Sequence, residues 1–191
     1  MFKYLKWYHC LIIFVILFAS VFLFLNLFPV TKNIGKEVAG IRWDAANAEE
    51  SESVTITVKG QYVTYFMHCF KEDYFQGMIT LSCCPFTKKD GCILFPVNFR
   101  HAFYDLASFE KGVSMGDLTY LSSTDSSTAA TYVSGTIFQK EPLAQGMIKL
   151  NEEASMNLIS FPCENREEAA ALAEELLQPL PEEAQEMILY R

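Results

Sequence analysis

The chain has 191 residues, 51% of them apolar, with 23 acidic and 15 basic side chains and a formal charge of −8. Four of the basic residues, Lys3, Lys6, Lys32 and Lys36, precede the first acidic one at Glu37, so the remainder holds 11 basic against 23 acidic residues, a formal −12. Nucleic-acid binding needs a basic footprint to neutralise phosphates, and the acidic remainder excludes that class; its length suits one core rather than two.

Between Lys6 and Lys32 stand 25 residues, WYHCLIIFVILFASVFLFLNLFPVT, with no Asp, Glu, Lys or Arg. Roughly 20 apolar residues in a helix cross a hydrocarbon core of about 30 Å. Residues 7–31 are therefore expected to form a transmembrane helix, with membrane lipid as its partner and Pro29 marking its far end. A cleaved secretory signal has a shorter apolar region, usually 7 to 15 residues, closely followed by a small-residue cleavage site; here Ala46, Asn47 and Ala48 lie far downstream. Lys3 and Lys6 lean towards a cytoplasmic tail at residues 1–6 and an extracytoplasmic remainder, although Lys32 and Lys36 nearly balance them.

Residues 32–52 show weak periodicity and end in Glu49, Glu50 and Glu52, which predicts a stalk, with Trp43 free to pack back onto the domain. Order is expected from residue 53, where Val54, Ile56 and Val58 alternate with Thr55, Thr57 and Lys59 as in a strand covered on one face. QYVTYFMHCF, apolar on both faces, reads as a covered strand. QGMITL at 76–81 returns as QGMIKL at 145–150. Each copy follows a β-rich segment and a polar turn, so each is expected to be the return strand of a hairpin, with duplication of a hairpin as the alternative. Ile93, Phe95 and Val97 alternate as in a strand and Pro96 suits an edge, whereas Phe99, Phe103 and Leu106 have helical spacing, so a strand is expected first and then a segment of either kind. Residues 116–123 and 131–138 read as strands joined by a polar loop, and 156–162 as a last strand.

At the C-terminus, Asn165 and Glu168 have capping-box spacing, and Ala169, Leu172, Ala173, Leu176 and Leu177 form one apolar stripe. Pro179 stops that helix and Pro181 opens a second, giving a helical segment over 166–190. The fold class is a membrane-anchored α+β protein: an N-terminal transmembrane helix, then a β-rich, mainly antiparallel domain at 53–191, sandwich or barrel-like, with a C-terminal helix.

Cysteine is where chemistry is sought. In CPFTKKDGC a hairpin turning at residues 87–90 sets Cys84 opposite Cys92, and a disulfide there fits an oxidising exterior. The alternative is a metal or redox site built on Cys83, Cys84 and Cys92, with His68 and Cys69 nearby in sequence; no C-x-x-C spacing supports it, and adjacent Cys83 and Cys84 point to opposite faces of a strand. Ser108 and Lys111 spell S-x-x-K without its usual companion motifs, and His68 and His101 have no partnered nucleophile. The expectation is a non-enzymatic binding or structural module, without a cofactor, held outside the cell membrane near a membrane or cell-surface protein partner.

Overall fold

The computed structural model describes residues 7–47, 49–65, 71–101, 113–122, 131–151 and 157–190. The first helix, α1 (Trp7–Leu27), is unbroken over 21 residues, a length of about 31 Å at the usual rise. None of its most apolar stretch, Trp7–Phe24, is buried against the rest of the chain. Its apolar side chains project on every side, which is the surface of a helix with no core of its own to join.

Only Phe28 and Pro29 separate α1 from β1 (Val30–Trp43). This is the main departure from the sequence reading, in which residues 32–52 form a stalk. The segment is instead a 14-residue strand paired along its whole length with β2 (Ser51–Thr64). Its alternation is hidden because Gly35 and Gly40 carry no side chain and because Lys32 and Lys36 share a strand face with Ile34 and Val38. Trp43, at the end of β1, is buried and donates from Nε1 to Ser160 Oγ at 3.0 Å.

The chain then meanders through β3 (Asp73–Leu81), β4 (Cys92–Leu94), β5 (Val97–His101), β6 (Ser114–Ser122), β7 (Thr131–Glu141), β8 (Gln145–Leu150) and β9 (Leu158–Phe161). Neighbouring strands pair antiparallel, with β3 pairing with β5 past the short β4, and β9 returns to β1, closing an eight-stranded ring in the order β1-β2-β3-β5-β6-β7-β8-β9. Short β4 lies on the same edge of β6 as β5: Leu94 opposes Tyr120 and Phe99 opposes Gly116. The two are one wall interrupted at Pro96, which has no N–H to give to a ladder. Closure leaves the sandwich alternative aside and explains why nearly every strand has two neighbours.

Side chains of one parity fill the barrel and those of the other lie outside. Ile56, Val58, Phe75, Ile79, Phe99, Leu118, Tyr120, Ile137, Ile148 and Phe161 form the interior cluster. A second cluster, with Ile41, Trp43, Phe138, Met147 and Leu158, lies on the outer wall under α2 (Arg166–Leu177), whose Ala169, Ala173, Leu176 and Leu177 are buried. Asn165 caps α2 as expected, its Oδ1 accepting from Glu168 N at 2.9 Å. The return arm of the cap lands one residue early, because the Glu168 carboxylate accepts from Glu164 N. The last helix, α3 (Glu182–Tyr190), is fastened by Lys149, whose Nζ donates to the carbonyl oxygens of Met187 and Ile188 at its C-terminal end, where the helix dipole favours a cation.

The repeated hexapeptides are the return strands of two hairpins, β2–β3 and β7–β8. Four steps separate β3 from β8 in either direction around the ring, so the copies stand on opposite walls. Each copy's glycine faces inward and makes room for a phenylalanine ring. A Cβ on Gly77 would run into the Lys59 carbonyl oxygen and Gly60 Cα on β2 and lie 2.9 Å from Phe75 Cζ, and one on Gly146 would lie 2.7 Å from Phe161 Cζ and 2.8 Å from the Phe138 carbonyl oxygen. The substitution that distinguishes the copies, Thr80 against Lys149, falls on the outer face and is what lets the second copy hold α3.

Gly77→Ala and Gly146→Ala are each expected to destabilise the barrel by about 2 kcal/mol through overpacking. Gly35→Ala, where an added Cβ meets nothing within 4 Å, is expected to be neutral or slightly stabilising. Urea unfolding of the three variants, followed by tryptophan fluorescence, measures the difference.

Candidate functional site

The ring has two mouths, and each collects polar or titratable side chains. At the mouth farther from α1, the chain leaving β3 folds inward through a 3₁₀ turn, Pro85–Lys88. Thr87 fixes it there: its buried Oγ1 accepts from Leu81 N at 3.0 Å and donates to the Cys84 carbonyl oxygen at 2.8 Å. This plug places Cys84 and Cys92 in the interior cluster and leaves Cys83 half-buried.

Cys83, Cys84 and Cys92 are all present as thiols. Cys84 and Cys92 are close enough that negative charge on Cys84 acts on Cys92. Burial is the main cause that pushes the Cys83 and Cys92 thiols above their ordinary range; Arg42 partly opposes this at Cys83, and Lys89 at Cys92. Such thiols stay protonated near neutral pH and are weak nucleophiles. No group of three or more His, Cys, Asp or Glu side chains among the described residues is arranged to hold a metal. Tyr120 stands beside the three cysteines, its pKa raised chiefly by burial, and its hydroxyl crosses the barrel to donate to the Ile79 carbonyl oxygen at 2.8 Å. The arrangement can pack a mouth shut, and it places two thiols in one buried cluster.

At the mouth nearer α1, Leu143 serves as the plug, fully buried at φ 54° in the turn between β7 and β8. Gln139, 1% exposed, binds it through Oε1, which accepts from Leu143 N at 2.7 Å, while its Nε2 donates across the barrel to Tyr62 Oη at 3.1 Å. Buried Asp73 accepts from Tyr65 N at 3.0 Å. Burial first and the Asp73 charge second raise the Tyr62 pKa, while the Gln139 hydrogen bond opposes them. In the sequence, Asp73 and Gln139 belong to polar runs, KED and QKE, that read as solvated turns. Their inward parity with Phe75 and Ile137 was the available signal.

His68 and Cys69 lie outside the described residues, as do Ser108 and Lys111, so the site readings that involve them have no geometry. His101 ends β5 at the α1-side mouth, at the opposite end of the ring from Cys84 and Cys92. Comparison with family models, curated proteins and solved structures gives no match.

A fourth thiol, Cys163, is buried beneath α2, and burial, helped by the Glu168 charge, pushes its pKa up to about 11. At pH 8 its thiolate fraction is then about 0.001, against roughly a quarter for an ordinary thiol. Iodoacetamide is expected to label Cys163 at least about 100-fold more slowly in the folded protein than in urea, with the folded rate rising roughly tenfold per pH unit towards pH 10. Peptide mass spectrometry of the alkylated chain checks both.

Proposed function

We propose that the chain is a single-pass membrane protein that uses α1 as a retained anchor and displays its barrel, outside the membrane, as a non-enzymatic binding or structural module. The observation that carries this reading is the contrast between two surfaces: α1 is apolar and uncovered along Trp7–Phe24, whereas the barrel encloses its own apolar side chains. A bilayer would cover the first without touching the second. The two-residue junction between α1 and β1 then holds the barrel close to the membrane surface rather than at the end of a stalk.

The non-enzymatic reading is supported by the nature of the mouths, where buried thiols and hydrogen-bonded polar side chains close the ring. In an oxidising exterior Cys84 and Cys92, both in the interior cluster at the far mouth, are expected to join as a disulfide, closing a short loop and stabilising the plug by about 2 kcal/mol. The redox or metal alternative built on Cys83, Cys84 and Cys92 would require these thiols to exchange electrons or bind a soft ion reversibly.

In cells producing the full chain, we expect it to stay with the membrane after alkaline carbonate washing and to retain residues 7–31. We also expect external protease to digest it from the barrel side. Recovery of a soluble chain lacking those residues would identify α1 as a removed signal and overturn the anchor reading. Resistance to protease until the cells are opened would reverse the orientation.

A further inference from the structure

The half of β1 nearer α1 is paired on one edge only. From Val30 to Val38 it pairs with β2 on one edge, while β9 accompanies it on the other edge only over Ile41–Trp43, before the chain turns away at Pro162 into α2. Among the described residues, no strand covers that stretch of edge. A lateral gap therefore opens beside the α1-side mouth.

Lys32 and Lys36 face this gap. They share the strand face of Ile34 and Val38, which pack against the interior cluster; Lys32 is exposed at the rim. Lys36 is half-buried, and burial together with the neighbouring Lys32 charge lowers its pKa. Among the described residues neither lysine makes an ion pair. Of the acids at this end, Glu37 projects from the opposite face of β1, Glu72 lies 3.8 Å from Arg100, Asp73 accepts from Tyr65 N, and Glu141 is exposed at the end of β7. A partly desolvated ammonium with a like charge beside it is unfavourable unless an anion joins it. Lys32 follows the start of β1 by only about 7 Å of strand and Lys36 by about 20 Å, and their flexible four-carbon stems let both heads turn towards one anion.

We propose that Lys32 and Lys36 form a binding site for a phosphate-class oxyanion at the lateral gap, supplied by the headgroup phosphate of an anionic lipid. The lipid source rests on the anchor reading; the oxyanion site does not.

The test places the full chain in nanodiscs of phosphatidylcholine, in nanodiscs doped with phosphatidylglycerol, and in phosphatidylcholine nanodiscs with millimolar inorganic phosphate. Acylation of Lys36 is timed against Lys59, an exposed lysine on the outer wall. With phosphatidylglycerol, Lys36 is expected to react about fivefold more slowly, the scale of one interfacial lysine's attraction to anionic lipid, and Lys32→Gln is expected to remove that protection while leaving Lys59 unchanged. Protection by inorganic phosphate alone would uphold the oxyanion site and overturn the lipid as its source. Equal Lys36 reactivity in all three samples would overturn the proposal. If the chain fails to enter nanodiscs, the anchor reading falls instead, and the phosphate comparison, repeated on the detergent-solubilised chain, decides the lysine site.

Discussion

The closing seam between β1 and β9 is the constraint on which the rest of the barrel depends. It consists of three paired positions, Ile41 with Ser160, Arg42 with Ile159 and Trp43 with Leu158. Without it, β1 and β9 would be two open edges, and the interior cluster would lose the wall formed by Ile159 and Phe161. So short a ladder is reinforced from outside. Trp43 donates to Ser160, Cys163 N donates to the Ala39 carbonyl oxygen, and the Arg166 guanidinium sits 5.4 Å from the Trp43 ring centroid. α2 then covers the seam with its buried alanines and leucines. The C-terminal helix is thus part of how the ring closes rather than an appendage.

Inside the ring, space is allotted by pairing aromatic rings with glycines. Phe75 lies across Gly60 and Gly77, Phe99 beside Gly116, and Phe161 beside Gly146. A barrel of eight strands has an interior just wide enough for side chains, so each large ring needs a neighbouring position without a Cβ. The polar atoms that remain inside are linked across the barrel, Tyr120 to Ile79 and Gln139 to Tyr62, as burial requires. The two plugs, Thr87 with its turn and Leu143, are buried at the two ends.

The same geometry bears on what the protein offers to others. With the interior occupied, partners are left the outer wall, the mouths and the lateral gap along β1. Among the described residues, the gap combines a half-buried cation, Lys36, with an uncovered strand edge close to the α1 junction. The far mouth, where Cys84 and Cys92 sit together, is at the opposite end of the ring from the α1 junction, so the two ends differ in chemistry as well as in distance from that helix.

Most of the element list was legible in the sequence because local patterns report local structure. Alternation at Val54, Ile56 and Val58 marked β2, the Asn165–Glu168 spacing marked the start of α2, and Pro179 and Pro181 marked the break between α2 and α3. The unbroken apolar run marked α1 by composition alone. What stayed hidden depends on neighbours that are distant in sequence. The sequence of β1 suggests a stalk because its inward face mixes Lys32, Lys36 and Gly40 with Ile34 and Val38, a pattern that makes sense only beside β2 and an open gap. Asp73 and Gln139 looked like turn residues until the ring turned them inward. The sequence by itself determined the anchor-like helix, most of the strands and the capped C-terminal helix, since each follows from periodicity and end signals within a few residues. Only the tertiary structure decided that the strands close into a ring, that the two copies of QGMI face each other across it, and that Lys32 and Lys36 share a gap, because register and closure are set by contacts between residues more than a hundred positions apart, such as Trp43 and Ser160.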